Sequence, residues 1–289
     1  MRDFVIMTDS CCDLTAQMAD ELGLIVLPLH LLIGDDTFAN YLDGREIGFK
    51  EFYDKVRGGA MPTTSAVSVG AFEDAMRPIL SEGKDILCLN FSSALSTTYQ
   101  SAVIAAEAMR EEFPESTIHV LDTLSASAGQ GLMICLCAQQ KAEGKSIDEV
   151  YEYAQGLIPH MSHWVTVDDL NPLKRGGRIS ATTALVGSML AIKPIIYVNE
   201  EGKLINVGKA RGRKAALLQV ISEMEKRLLD PSLPVFISHG DCEEDAKFVA
   251  EEVHKRTGAE VKLISYVGPV IGSHTGAGVI ALCFVGKER

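Results

Sequence analysis

Short apolar runs alternate with stretches whose apolar residues recur every three or four positions, and that rhythm governs the first half of the chain. FVIMTDS (4–10) reads as a buried strand and DLTAQMADELGL (13–24) as an amphipathic helix closed by Gly23. LIVLPLHLLIGDDTFA (24–39) reads as strands turning at Gly34, Asp35 and Asp36. Helices are predicted at FKEFYDKV (49–56) and VGAFEDAMRPIL (69–80), joined by the loop RGGAMPTTSAVS (57–68). The strands ILCLNF (86–91) and TIHVLD (117–122) continue the alternation with their helices, and SIDEVYEYAQGLIPHM (146–161) closes it as a last helix. Buried strands separated by amphipathic helices predict a mostly parallel sheet covered on both faces, a three-layer α/β/α domain.

Beyond His160 the pattern changes. IKPIIYVNEEGKLINVGKAR (192–211) sets two apolar runs around a Glu-Gly pair, the form of a β-hairpin. A long helix (213–229), the strand PVFISHG (234–240), a second helix (241–256) and the strands VKLISYVG (261–268) and GVIALCFVG (278–286) follow. A hairpin combined with crossover helices predicts a mixed sheet in a two-layer α/β domain. The expected division is an N-terminal domain at 1–160 and a C-terminal domain at 161–289, with a cleft between them.

Composition narrows the class. The chain has 289 residues, 47% hydrophobic and 23% charged, enough for two ordinary cores. A formal net charge of -12 repels nucleic acid and anionic membranes as principal partners. The opening MRDFVIMTDS carries too short an apolar run for a signal peptide, and no window approaches a membrane span. A soluble cytoplasmic protein with no stable membrane insertion is expected. The 7 cysteines include no pair with zinc-ligand spacing and are expected to be reduced, structural thiols. His160 and His163 have helical spacing but no further obvious ligand, so no metal is expected.

The candidate chemistry is concentrated in uncharged polar clusters. Ser92, Ser93, Ser96, Thr97 and Thr98 fall between a strand and a helix, where ligands of open α/β sheets bind and helix N–H groups favour an anion. One serine suffices as a cap, and local capping alone would explain part of the set. Pro62-Thr-Thr-Ser65 precedes another helix, and Thr8, Asp9 and Ser10 close the first strand; all three sets are expected at the carboxyl edge of the sheet. Gly272-Ser-His-Thr-Gly-Ala-Gly278 couples a histidine to a glycine-rich turn, and Lys174-Arg-Gly-Gly-Arg178 places arginines at the domain boundary, where one could clamp a carboxylate. No GxxxxGK[ST] loop, dinucleotide fingerprint or GxSxG elbow occurs.

Taken together, TDSCCDL, PTTS, SSALSTTYQSA, LKRGGRIS, KARGRKAA and SHTGAG, in this order along nearly the whole chain, resemble the DegV family, the fatty-acid-binding carriers that serve bacterial fatty acid kinase. The resemblance implies a long-chain fatty acid such as palmitate held between the two domains, and no other cofactor. Carried over by position, its carboxylate is met by Thr64, Ser96 and His274, with Arg178 in support and Ser65, Ser93 and Thr275 around it. Three positions depart from the family pattern: Thr97 and Ala277 replace a glycine and a proline, and Ala66 replaces a glutamine. The resemblance also implies docking on a separate kinase with its own ATP site, for which the basic run Lys209, Arg211, Arg213 and Lys214 is a candidate surface.

Two other classes remain open at this level. An acyl hydrolase would use Ser96 or Ser93 as nucleophile, His274 as base and Asp9 or Asp122 as its orienter. A sugar- or nucleotide-binding module could share the architecture.

Overall fold

A computed structural model of the chain describes residues 2–180 and 191–289. The chain opens with β1 (Phe4–Asp9), a 3-10 turn, α1 (Ala16–Glu21), β2 (Ile25–Leu27), β3 (His30–Ile33), β4 (Asp36–Ala39) and α2 (Phe49–Arg57). Next come β5 (Thr63–Ser65), α3 (Val69–Ser81), β6 (Asp85–Asn90), α4 (Thr98–Glu112), β7 (Ile118–Asp122), α5 (Ser127–Ala142) and α6 (Ile147–Leu157). After a 3-10 turn at Ile158–His160 follow β8 (Met161–Thr166), α7 (Asn171–Arg175), β9 (Ile192–Val198), β10 (Leu204–Arg211) and α8 (Arg213–Arg227). The described chain closes with β11 (Val235–His239), α9 (Glu243–Thr257), β12 (Val261–Tyr266), α10 (Pro269–Thr275) and β13 (Ile280–Val285).

β2, β1, β6 and β7 form a parallel sheet, and β10, β9, β8, β13, β11 and β12 a mixed sheet in which β11 and β12 run parallel. The expected mixed α/β class is what the chain adopts. Side-chain alternation decides what each face meets. Ile86 and Cys88 of β6 join Met76 of α3 and Met109 of α4 on one side, whereas Leu87 and Leu89 join α5 on the other. The mixed sheet divides likewise: Ala281, Cys283 and Val285 share a core with α5, while Ile280, Leu282 and Phe284 pack with α8 and α9. α5 thus lies between the two sheets and is apolar on nearly all sides, as a helix buried all round must be. Two of its glycines make the fit possible. A Cβ at Gly129 would stand 2.0 Å from His163 Nε2, and one at Gly131 would stand 2.6 Å from the Cys12 carbonyl oxygen.

Several elements differ from the sequence reading. β3, β4 and β5 form a small antiparallel sheet of their own, so the 57–68 loop contains a strand whose Thr64 pairs with Leu31. The first helix spans only Ala16–Glu21, because Ser10–Cys12 winds into a 3-10 turn and Asp13 adopts a left-handed conformation at φ 49°. His160 ends a 3-10 turn and His163 lies on β8, so they share no helix face; their Nδ1 atoms lie 3.0 Å from the carbonyls of Gly286 and Met161. The 272–278 segment is not wholly a turn, since Ser273, His274 and Thr275 form the last turn of α10.

Candidate functional site

A cavity of about 550 Å³ lies where the loop after β6, strand β5, the turn after α7 and helix α10 meet the mixed sheet. Thr64, Ser65, Ser93, Ser96, Arg178, His274 and Thr275 all line it. Much of the remaining wall is hydrocarbon: Val165, Ile196, Val198, Leu204 and Ala281 from the mixed sheet, and Val267, Val270 and Ile271 from the approach to α10 and its first turn.

The polar groups are held by local structure. Thr64 Oγ1 and His274 Nε2 share a hydrogen bond of 2.8 Å across 210 residues of sequence. Ser96 Oγ pairs with Thr98 Oγ1 at 2.9 Å and accepts from the Thr98 N–H at 3.2 Å, at the start of α4. Thr97 has φ -81°, a conformation open to any residue, so the threonine causes no backbone strain. Arg178 donates from Nε to the Leu95 carbonyl at 3.0 Å and from Nη1 to that of Gly176, tying the turn after α7 to the loop after β6. The Ser93 N–H donates to Asp122 Oδ1 at 3.1 Å, and Thr275 Oγ1 donates to the Ile271 carbonyl at 3.2 Å.

Side chains from the first sixty residues hold the segment that launches α10. Asp13 Oδ1 accepts from the Gly268 N–H at 2.9 Å, Tyr53 donates to the Val267 carbonyl at 2.8 Å, and Asn40 Oδ1 accepts from the Val270 N–H at 3.4 Å. Burial, then the Arg178 and Arg175 charges, push the His274 imidazole down to about 4. It is neutral at pH 7, beside a guanidinium whose own pKa burial lowers. The polar end therefore combines one cation with uncharged hydroxyl and imidazole groups.

Other sequence candidates fall elsewhere. Ser92 Oγ donates to the Gly202 carbonyl at 2.9 Å and Thr98 is fully buried, so both serve the fold. Thr8, Asp9 and Ser10 are buried and do not line the cavity: Thr8 bonds the Leu89 carbonyl, Asp9 accepts from Phe91 and Cys11, and Ser10 accepts from Leu29. Arg213 is held by Asp245 at 2.8 Å and Asp168 at 3.7 Å, whereas Lys209 and Arg211 are exposed on β10. The serine-histidine relay of a hydrolase is not assembled. His274 Nε2 meets Thr64, Ser96 meets Thr98, Asp122 caps Ser93 and Leu124, and Asp9 serves β1 and its neighbours. Among the described residues no cluster of His, Cys, Asp or Glu could hold a metal, and no helix is long and apolar enough to cross a membrane.

Sequence reading missed the cavity walls and one support. His163 and Val165 come from β8, whose alternating SHWVTV was a readable strand signal. Gly176 is the support, because a Cβ there would stand 2.2 Å from His274 Nδ1. Only the folded chain reveals that contact.

The family model described as "Uncharacterised protein, DegV family" matches residues 3–287. A DegV domain-containing protein of Clostridium perfringens is 45% identical over 290 residues, covering 100% of this chain and 99% of the relative. Among solved structures, a DegV family protein from Thermus thermophilus, for which fatty acid binding is described, is 32% identical with a TM-score of 0.87 over 99% of this chain and 100% of that one. A DegV lipid binding protein from Thermotoga maritima is 27% identical with a TM-score of 0.87, covering 99% of each chain. Similarity of sequence and of fold runs from end to end, and the chain belongs to the DegV family.

Proposed function

We propose that this protein is a non-enzymatic carrier that holds one long-chain fatty acid between units comprising residues 1–160 and 161–289. The observation that carries this reading is the placement of Thr64, Ser65, Ser93, Ser96, Arg178, His274 and Thr275 around one cavity with extensive hydrocarbon walls. Its volume of about 550 Å³ falls within the roughly 300–1,000 Å³ of small-molecule sites. The Thermus and Thermotoga relatives, described as fatty-acid- or lipid-binding, support the same class of ligand.

A carboxylate taken out of water without partners is too costly to bury. Thr64 and Ser96 offer hydroxyl donors, His274 a ring N–H in the right tautomer, and Arg178 a cation, which together replace its hydration. A tail of ten methylenes adds on the order of 8 kcal/mol through burial. Binding is tight enough for lipid to remain through purification.

With no phosphate loop, the chain presents its cargo to a separate fatty acid kinase carrying the ATP site, and shields the acyl phosphate afterwards. Lys209 and Arg211 face outward to meet that partner, with Arg213 anchored behind them by Asp168 and Asp245. Denaturing the purified protein and analysing the extract by mass spectrometry should yield about one fatty acid per chain. Recovery of a nucleotide, or of no lipid, refutes the carrier. Ester turnover abolished by Ser96→Ala would instead establish a hydrolase.

A further inference from the structure

On the α8 side of the mixed sheet, away from the lipid cavity, a second cavity of about 440 Å³ opens between α8, the β9–β10 hairpin and the 288–289 segment. Its lining is mostly polar. Trp164 and Arg289 are 5% and 6% exposed, and Trp164 Nε1 and Arg289 Nε are buried donors that bond to no described residue. The other Arg289 nitrogens donate to the carbonyls of Ile158, at 2.8 Å, and Leu124. Burial pushes that guanidinium down to about 10. The Ser125 hydroxyl lies 3.5 Å from Nη2 and the Asp122 and Glu200 charges act on the guanidinium from farther off, so its burial is only partly compensated, and the unmade hydrogen bond at Nε adds to the cost.

The acids of the cavity are placed differently. Glu223 is engaged by Lys226 and Arg227, while Glu200 and Glu288 are exposed at the rim, Glu288 3.7 Å from Arg227. Two donors without acceptors lie at the buried end and the Glu200 and Glu288 carboxylates at the mouth, with Arg227 between Glu223, Glu288 and the Trp164 ring. That polarity suits a small molecule with a carboxylate at one end and a hydrogen-bond donor at the other.

We propose that this cavity is a second binding site, for a small carboxylic acid bearing an amino or hydroxyl group. The carboxylate lies against Trp164 Nε1 and Arg289 Nε, and the amino or hydroxyl group faces Glu200 and Glu288. None of these residues serves the lipid cavity, so the two readings stand or fall separately.

The chain has 1 tryptophan, Trp164, and its emission reports on this cavity. The full, lipid-loaded protein is titrated with L-serine and L-lactate, with propane-1,2-diol as a probe lacking the carboxylate. A saturable change in emission, with Kd of about 1 mM or tighter for at least one acid and none for the diol, is expected. Arg289→Met should weaken that binding by about tenfold or more. Val207→Phe, at an exposed position of the lining, should do the same by filling the space, and remains informative where loss of Arg289 disturbs folding. No saturable response by fluorescence and no heat of binding up to about 20 mM overturns the proposal, the donors then being met by water. Undiminished binding in Val207→Phe, or a diol that binds as well as the acids, overturns it equally.

Discussion

Gly176 offers a perturbation that reaches His274 without touching it chemically. Its φ of -73° lies in the ordinary helical region, so alanine there adds no backbone strain. Space is the constraint. The added Cβ would stand 2.2 Å from His274 Nδ1 and 3.0 Å from Cε1, whereas non-bonded heavy atoms settle near about 3.5 Å. On its other nitrogen the ring is held at 2.8 Å from Thr64 Oγ1, so it has to turn out of its place. Losing one hydrogen bond to a charged ligand costs about 1.5–3 kcal/mol. Since about 1.4 kcal/mol is tenfold, Gly176→Ala should weaken fatty acid binding by roughly ten- to hundredfold. Displacement of a fluorescent fatty acid from delipidated protein measures this, alongside the thermal midpoint. Gly70→Ala, with no atom within 4 Å of the added Cβ, is the control and should bind normally. If Gly176→Ala binds as tightly as the unaltered chain, His274 is not needed where it lies, and the head-group assignment fails.

Thr64→Ala and Ser96→Ala should each reduce lipid recovered per chain, with affinity down by about 1–2 kcal/mol and little change in the melting temperature of the delipidated chain; full lipid content in both rejects their role. Burial raises the Asp13 carboxyl from 3.8 to about 7 despite its bonds from Ser127 and Gly268. Its stabilising contribution is therefore complete below about pH 3.8 and is lost as the pH rises through about 7. Asp13→Asn does not titrate, so its melting temperature relative to the unaltered chain should climb between pH 4 and pH 8 on the order of these values; a flat difference contradicts the burial argument. If the proposed docking on a fatty acid kinase holds, reversing Lys209 and Arg211 to glutamate should slow phosphorylation of the bound lipid by about tenfold at low salt, with lipid retention intact.

Most strands of both sheets were legible because their apolar runs are long and their alternate residues enter different cores, as Leu87 and Cys88 do, but β8, whose first residue had been read into the preceding helix, was missed. β5 was not. Thr63–Ser65 is three residues long behind a proline, and it is a strand because β3 lies beside it, which is non-local information. α10 was hidden similarly: a Cβ at Gly272 would stand 2.6 Å from the Phe52 ring and 2.8 Å from the Tyr53 oxygen, so that glycine reflects packing against α2. Among the clustered hydroxyls, composition cannot separate Ser92 from Ser96. The distinction comes from the Gly202 carbonyl, which takes Ser92, and from the turn into α4, which leaves Ser96 on the cavity. The order of motifs pointed to Thr64, Ser96 and His274, but only the fold supplies the bond between the first and the last. The basic run looked uniform in sequence, whereas Asp168 and Asp245, distant along the chain, sequester one of its arginines.

The grip of Asp13 on Gly268 spans 255 residues, and a chain leaving the ribosome makes the two ends of that bond at opposite times. The parallel sheet and its hydroxyl-bearing loops can be complete while the helix bearing the imidazole is still unsynthesised, and so long a loop closes late. On the proposed carrier role, cargo loading is then confined to finished molecules. Nascent or C-terminally clipped chains, lacking a counterpart for Thr64, would leave free fatty acid where it is.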